Sequence, residues 1–120
     1  SGIHAALSYA KHDWVAIAAC DLPFLTSAYW HYLQKYTSDN QIVIAQNQKG
    51  FPEPLAAFYH RSVLQIVERQ IENQDFTLIN LTHSAKTQLI PWKELEPHFE
   101  SRLFLNANTK DDLPKDRIEL

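Results

Sequence analysis

Asp21 is the residue of this chain best placed to do chemistry. It closes the apolar run Trp14-Val15-Ala16-Ile17-Ala18-Ala19-Cys20, and Leu22-Pro23-Phe24 follows it. An uninterrupted apolar run of this length reads as a strand buried on both faces, the pattern of a parallel sheet covered by helices. In open α/β sheets ligands bind outside the carboxyl ends of the strands. A carboxylate at such an end is well placed to hold a divalent metal and, through it, a phosphate. The competing reading is an aspartate that caps or turns the chain before Pro23, which leaves its place at a strand end unexplained. Cys20, beside it, reads as a small buried apolar residue, since no base stands near it in sequence to activate the thiol.

The other titratable side chains offer less. His4, His12, His31, His60, His83 and His98 are scattered, and no two show the i, i+4 spacing of a zinc-binding helix. Glu94, Glu96 and Glu100 read as a solvated loop. Trp14, Trp30 and Trp92 belong to a core or its rim.

The elements that must position Asp21 follow from periodicity. Ile3, Ala6, Leu7 and Ala10 predict a helix over 3–11, ahead of the strand at 14–20. Thr26 or Ser27 can cap a helix over 27–36, with Tyr29 and Leu33 on one face. A second strand over 41–45 and a third over 54–59, with its proline at the start, flank a loop that contains Gly50. Val63, Leu64, Val67 and Ile71 form the stripe of a helix over 61–72. A further helix over 75–84, short strands over 88–92 and 102–107, and a terminal helix from Lys110 complete the pattern. Strands alternate with helices, so the fold class is α/β.

Composition narrows the function. The chain has 120 residues, which fits one domain, and a net charge of −3 with no basic patch, which argues against nucleic acid. No apolar run approaches the roughly 18 residues of a membrane span. The single cysteine excludes an internal disulfide and fits a reducing compartment; with no secretory signal, the cytoplasm is expected. There is no methionine, so either an initiator was removed before Ser1 or the chain starts within a longer protein. Only Gly2 and Gly50 are glycines. Loops that cradle triphosphates rely on clustered glycines, because only glycine lets the backbone approach phosphate closely. No such loop is present.

Four segments, in order, resemble the molybdenum cofactor guanylyltransferase family of the nucleotidyltransferase-like superfamily. They are Ser1-Gly2-Ile3, Ala19-Cys20-Asp21-Leu22-Pro23-Phe24, Glu53-Pro54-Leu55-Ala56-Ala57-Phe58-Tyr59, and Phe104-Leu105-Asn106-Ala107-Asn108-Thr109-Lys110-Asp111-Asp112-Leu113. The family's opening strand and its glycine-rich nucleotide loop have no counterpart, and Lys110 stands where the family usually has proline. The resemblance implies a three-layer Rossmann-like nucleotidyltransferase domain with a mostly parallel sheet, N-terminally truncated, spanning 1–120 as a single partial domain.

It further implies transfer of GMP from GTP to molybdopterin, with Asp21 as catalytic carboxylate and Mg²⁺ ligand. Asn106 and Asn108 would lie near the pterin or nucleotide phosphates, and Pro54 on the strand facing molybdopterin. For Glu53 a plain loop-to-strand connection is the better reading, and for the two asparagines an Asx turn competes. Because the nucleotide loop is missing, the isolated chain is expected to be inactive. The alternatives are a molybdopterin-binding or scaffold module, or a relative that uses CTP or another nucleotide. Expected partners are the two small-molecule substrates, molybdoenzyme-maturation proteins, and a second copy paired through an exposed edge of strand 14–20.

Overall fold

A computed structural model describes residues 2–107. Helix α1 (Gly2–Ser8), strand β1 (Trp14–Ala18) and helix α2 (Ser27–Gln34) lead to β2 (Ile42–Ala45) and β3 (Ala56–His60). Then come α3 (Val63–Glu72), α4 (Leu78–Ser84), β4 (Thr87–Ile90) and α5 (Trp92–Leu95). Asn108 and the terminal helix expected from Lys110 fall outside the described residues.

The strands form one sheet in the order β1-β3-β2-β4. β2 and β4 pair in parallel, whereas β3 runs antiparallel to both β1 and β2. β1, β2 and β4 therefore point the same way and β3 alone is reversed. Strand direction is mostly shared, as expected, yet the pairing is mixed. A loop joins β2 directly to β3, and a short connection of that kind returns the chain antiparallel.

Side chains alternate across the sheet with the two-residue strand period. Ile42, Ile44, Ala57 and Tyr59 face a core shared with α1, α3 and α4. Val43, Ala45, Ala56 and Phe58 face a second core with α2, α5 and Phe99, Leu103 and Phe104. Helices thus cover both faces, giving the expected three layers.

The structure corrects several sequence expectations. The strand buried on both faces is β2, not β1. Ala16 and Ala18 of β1 are exposed, because among the described residues β1 pairs only with β3. Residues 102–107 form no strand. Leu103 N–H donates to the Glu100 carbonyl (3.1 Å) and Leu105 N–H to that of Arg102 (2.9 Å), so the chain turns here. The consecutive residues Leu103 and Phe104 are both buried in the same core, which a strand's alternation does not allow. The fourth helix begins at Leu78 because the Asp75 carboxylate accepts from Thr77 N–H (3.2 Å) and from Asn80 (2.9 Å), turning the chain first.

Nor is Glu94 a loop residue in open solvent. It lies in α5, and one of its oxygens accepts from the hydroxyls of Tyr32 (2.8 Å) and Tyr36. The Tyr36 hydrogen bond, above all, holds the Glu94 carboxyl below its ordinary value; partial burial opposes this, and Tyr32, Lys35 and His98 add to it. A depressed carboxyl pKa stabilises the fold above the unfolded value and loses that effect as pH falls through the folded one. The stability difference between wild type and Glu94→Gln should therefore be constant at neutral pH and shrink as pH drops through the ordinary value of 4.5 and below, in urea titrations at stepped pH. Tyr59→Phe, which strips a fully buried hydroxyl from the Pro54 carbonyl (2.7 Å), should cost about 1–2 kcal/mol by the same measurement.

Candidate active site

With β3 reversed, the carboxyl ends of β1, β2 and β4 and the start of β3 all emerge at one end of the sheet. Asp21 stands there, three residues beyond β1. The backbone carries it with little slack. Ala19 N–H donates to the Leu55 carbonyl at 2.7 Å, which prolongs the β1–β3 ladder past Ala18. Leu22, 6% exposed, then plugs into the core shared with α2 and anchors the turn. Leu25 N–H closes back on the Leu22 carbonyl (3.4 Å), and Thr26 caps α2 by accepting from Tyr29 N–H (3.4 Å).

The chain returns to Asp21 from far along the sequence. Ala107 N–H donates to the Asp21 carbonyl at 2.7 Å. The Asn106 amide, oriented with its nitrogen toward the acid, donates to Oδ1 (3.0 Å), to Oδ2 and to the backbone carbonyl (3.1 Å) of Asp21. Two residues singled out from the sequence are thus in direct contact. A carboxylate has about four acceptor positions, so the amide orients Asp21 and still leaves it lone pairs for a cation.

Pro54, the third expected site residue, is buried at the same end of the sheet. Buried phenols fix the backbone on either side of Leu55. Tyr59 donates to the Pro54 carbonyl (2.7 Å) and Tyr29 to that of Ala56 (2.5 Å). Burial, joined by the nearby Glu53 carboxyl, pushes the Tyr29 hydroxyl well above its ordinary range, so it stays protonated as a donor. Burial does the same for Tyr59.

Glu53 is more than a loop-to-strand connection. It is only 2% exposed, and its Oε2 accepts from Asn47 Nδ2 at 2.9 Å. Asn47 in turn organises the loop: its Oδ1 accepts from Lys49 N–H (2.9 Å) and Phe51 N–H (3.2 Å). Gly50 completes the turn with φ +85°, a conformation that favours glycine. The sequence signal for this hub is an asparagine three residues before a turn glycine, with an acid just ahead of the strand's proline.

Cys20 is exposed in the turn beyond β1 rather than packed in the core. Arg102 lies over the Phe24 ring (4.2 Å to the centroid) and donates through Nε to Glu100 Oε2 (3.0 Å), a second tie between the Asp21 turn and the returning segment. Among the described residues no cluster of three or more His, Cys, Asp or Glu could hold a metal unaided. The set fits the other mode, in which one carboxylate and substrate phosphates share a hard cation.

Residues 1–85 match the MobA-like NTP transferase domain. A molybdenum cofactor guanylyltransferase from Desulfosudis oleivorans is 33% identical over 117 residues, 95% of this chain and 57% of that protein. A Clostridium perfringens relative, named for the same activity, is 32% identical over 115 residues, 93% of this chain and 58% of its own length. The crystal structure of molybdopterin-guanine dinucleotide biosynthesis protein A from Archaeoglobus fulgidus superposes with a TM-score of 0.74 at 28% identity, covering 92% of this chain and 56% of that one. The chain therefore spans a little over half the length of these relatives. With its three-layer α/β core and an aspartate at the carboxyl end of β1, this chain belongs to the MobA-like NTP transferase domain family.

Proposed function

We propose that this chain supplies the metal-carboxylate and pterin-facing part of a molybdenum cofactor guanylyltransferase of the cytoplasm. In that reaction a phosphate oxygen of molybdopterin attacks the α-phosphorus of GTP. A new phosphorus–oxygen bond forms, the bond to the β-phosphate breaks, and pyrophosphate leaves. The observation that carries the reading is Asp21 at the end of β1, its carboxylate held by the Asn106 amide and its backbone carbonyl by the Ala107 N–H. Asp21 is the residue that would hold Mg²⁺, whose charge neutralises the phosphate oxygens as the new bond forms. Asn106 keeps the Asp21 carboxylate in one orientation, as outer-shell partners of metal ligands do. By its resemblance to the family's closing motif, Asn108 would serve the same phosphates. Pro54, fixed through its own carbonyl, forms a rigid wall on the pterin side.

The guanine pocket is not expected within these 120 residues, which hold two glycines, Gly2 and Gly50. That count also favours a second reading, a molybdopterin-binding module without turnover. The outer edge of β1, unpaired among the described residues, is the surface through which a second copy would pair.

The purified chain with GTP, Mg²⁺ and molybdopterin should form no dinucleotide by mass spectrometry; turnover above background would show that the nucleotide pocket lies within it. Mn²⁺, titrated in the presence of pyrophosphate and followed by water-proton relaxation, should bind wild type, lose binding in Asp21→Asn, and weaken about tenfold in Asn106→Ala. Equal affinity in all three would remove Asp21 from the metal site. Light scattering should give a mass above the 13.9 kDa of one chain, returning to that value in Ala16→Lys; a concentrated wild-type monomer would rule out pairing through β1.

A further inference from the structure

Three stretches of chain meet around Asp21: the turn after β1, the start of β3, and the segment that returns through Phe99 to Ala107. The last two lie far from Asp21 in sequence, so only tertiary contacts can hold the three in place. One buried side chain reaches all of them. Tyr29, in the first turn of α2, has no exposed surface, and its hydroxyl is spent on a backbone carbonyl. Its influence on Asp21 is therefore indirect.

The backbone of Tyr29 belongs to the turn. Leu22 N–H donates to the Ala19 carbonyl (3.4 Å), Leu25 N–H to that of Leu22 (3.4 Å), and Tyr29 N–H to that of Thr26 (3.1 Å). These short-range bonds carry the chain from the end of β1 into α2. The hydroxyl of Tyr29 reaches the strand. It donates to the Ala56 carbonyl (2.5 Å), one residue past the Leu55 carbonyl that accepts from Ala19 N–H (2.7 Å). Ala56 also sits opposite Ala18 in the β1–β3 register.

The ring of Tyr29 meets the returning segment. Phe104 packs edge-on against it, with centroids 5.6 Å apart and planes at 85°, and Phe99 does so at 6.0 Å and 72°. Such pairs favour this edge-to-face geometry, so the orientation of one ring constrains the other. Phe104 lies two residues before Asn106, and Leu105 N–H between them closes back on the Arg102 carbonyl (2.9 Å). Little chain separates the ring contact from the amide that holds the Asp21 carboxylate.

Hydroxyl and ring form one stiff unit, since a phenol has two side-chain torsions and anchoring its far end on Ala56 restrains both. Tyr59 provides the contrast. It makes the same kind of buried bond, to the Pro54 carbonyl (2.7 Å), but from the opposite face of the sheet. Phe99 and Phe104 pack in the Tyr29 core, so the sheet stands between Tyr59 and the returning segment.

We propose that Tyr29 is a positioning residue for the Asp21 site: through its hydroxyl on Ala56 and its ring on Phe104, it sets the Asp21 turn and the Asn106 amide at bonding distance. This rests on the metal-carboxylate reading and adds the buried group that keeps the two parts of the site in register.

The test compares Tyr29→Phe and Phe104→Leu with Val67→Ala, a control that weakens the core on the other face of the sheet. Folding is checked by circular dichroism and stability by urea titration. The first readout is hydrogen exchange at the Ala107 amide, which is bonded to the Asp21 carbonyl. The second is Mn²⁺ affinity in the presence of pyrophosphate. In Tyr29→Phe, Ala107 should exchange about tenfold faster, through local opening of the returning segment. Mn²⁺ affinity should fall about fivefold, approaching the loss expected when Asn106 itself is removed. Phe104→Leu, which keeps the hydroxyl bond, should move both readouts the same way. Val67→Ala should lose stability yet leave both within twofold. Unchanged Ala107 exchange in Tyr29→Phe, or equal changes in Tyr29→Phe and Val67→Ala, would make Tyr29 an ordinary core residue and overturn the proposal. A wild-type chain that takes no Mn²⁺ would remove the metal reading instead, because Ala107 exchange reports how the turn is held without any metal.

Discussion

The reversal of β3 is the constraint on which the site depends. A strand running against both neighbours lets β1 and β2 deliver their carboxyl ends to one edge of the sheet, while the start of β3 rises among them. The 46–55 loop is then forced into the middle of that edge, between the Asp21 turn and the end of β4. A reversed central strand brings a cost, because the segment before it is buried and must satisfy its carbonyls. Tyr29 and Tyr59 meet that demand from opposite faces of the sheet, one from the α2 core and one from the α3 core. Each phenol replaces water at a carbonyl that would otherwise be desolvated without a partner, and this is where a buried hydrogen bond matters most. The strand start is thereby pinned to both layers, and a rigid strand start gives the site a fixed wall.

Asp21 and its surroundings are legible in the sequence because they obey local rules. The apolar run, the acid and the proline lie within eleven residues, and the strand-end position follows from periodicity alone. The α/β class and the two strongest helices are legible for the same reason: Val63, Val67, Tyr29 and Leu33 fall on single helical faces and are fully buried. The contact between Asp21 and Asn106 is legible only as two motifs on either side of a long intervening sequence; nothing local states that they meet. The depth of burial of β1 is not legible, because an apolar strand says nothing about how many neighbours it has. Ala16 and Ala18 are small, and small apolar residues tolerate an edge as easily as a core. The turn at 102–107 reads falsely as a strand because Leu103 and Phe104 look like strand hydrophobics, whereas both enter one core from a turn, Phe104 against Tyr29 and Trp92.

Glu53 shows where sequence reasoning runs short for a physical reason. An acid in a polar loop ahead of a proline is ordinarily solvated, so its burial comes entirely from tertiary context. Burying a carboxyl is unfavourable unless hydrogen bonds replace its water. Asn47 provides such a bond and spends its remaining capacity on the turn amides, which couples the buried acid to the shape of the exposed loop. The loop is therefore held from below, by a group no solvent reaches, and its outer residues Phe51 and Pro52 present a surface that does not need a ligand to take shape.

Charge completes the logic of a shared site. In the proposed transfer the carboxylate at the mouth of β1 would lie close to phosphates of the same sign. Two like charges 4 Å apart repel by about 4 kcal/mol at the effective dielectric near a protein surface. Arg102, a cation beside the turn through its stacking on Phe24, is already paired with Glu100 and offers only part of its fork. Asn106 adds donors but no charge. On that reading the described residues would orient an acid toward phosphate without neutralising either group, and an arrangement of that kind is attractive only with a cation between them. A strand-end aspartate steadied by an amide would suit that role, since it would fix where the cation sits and leave its other coordination positions to the substrates. The site is therefore defined less by what Asp21 touches than by the charge that its placement demands.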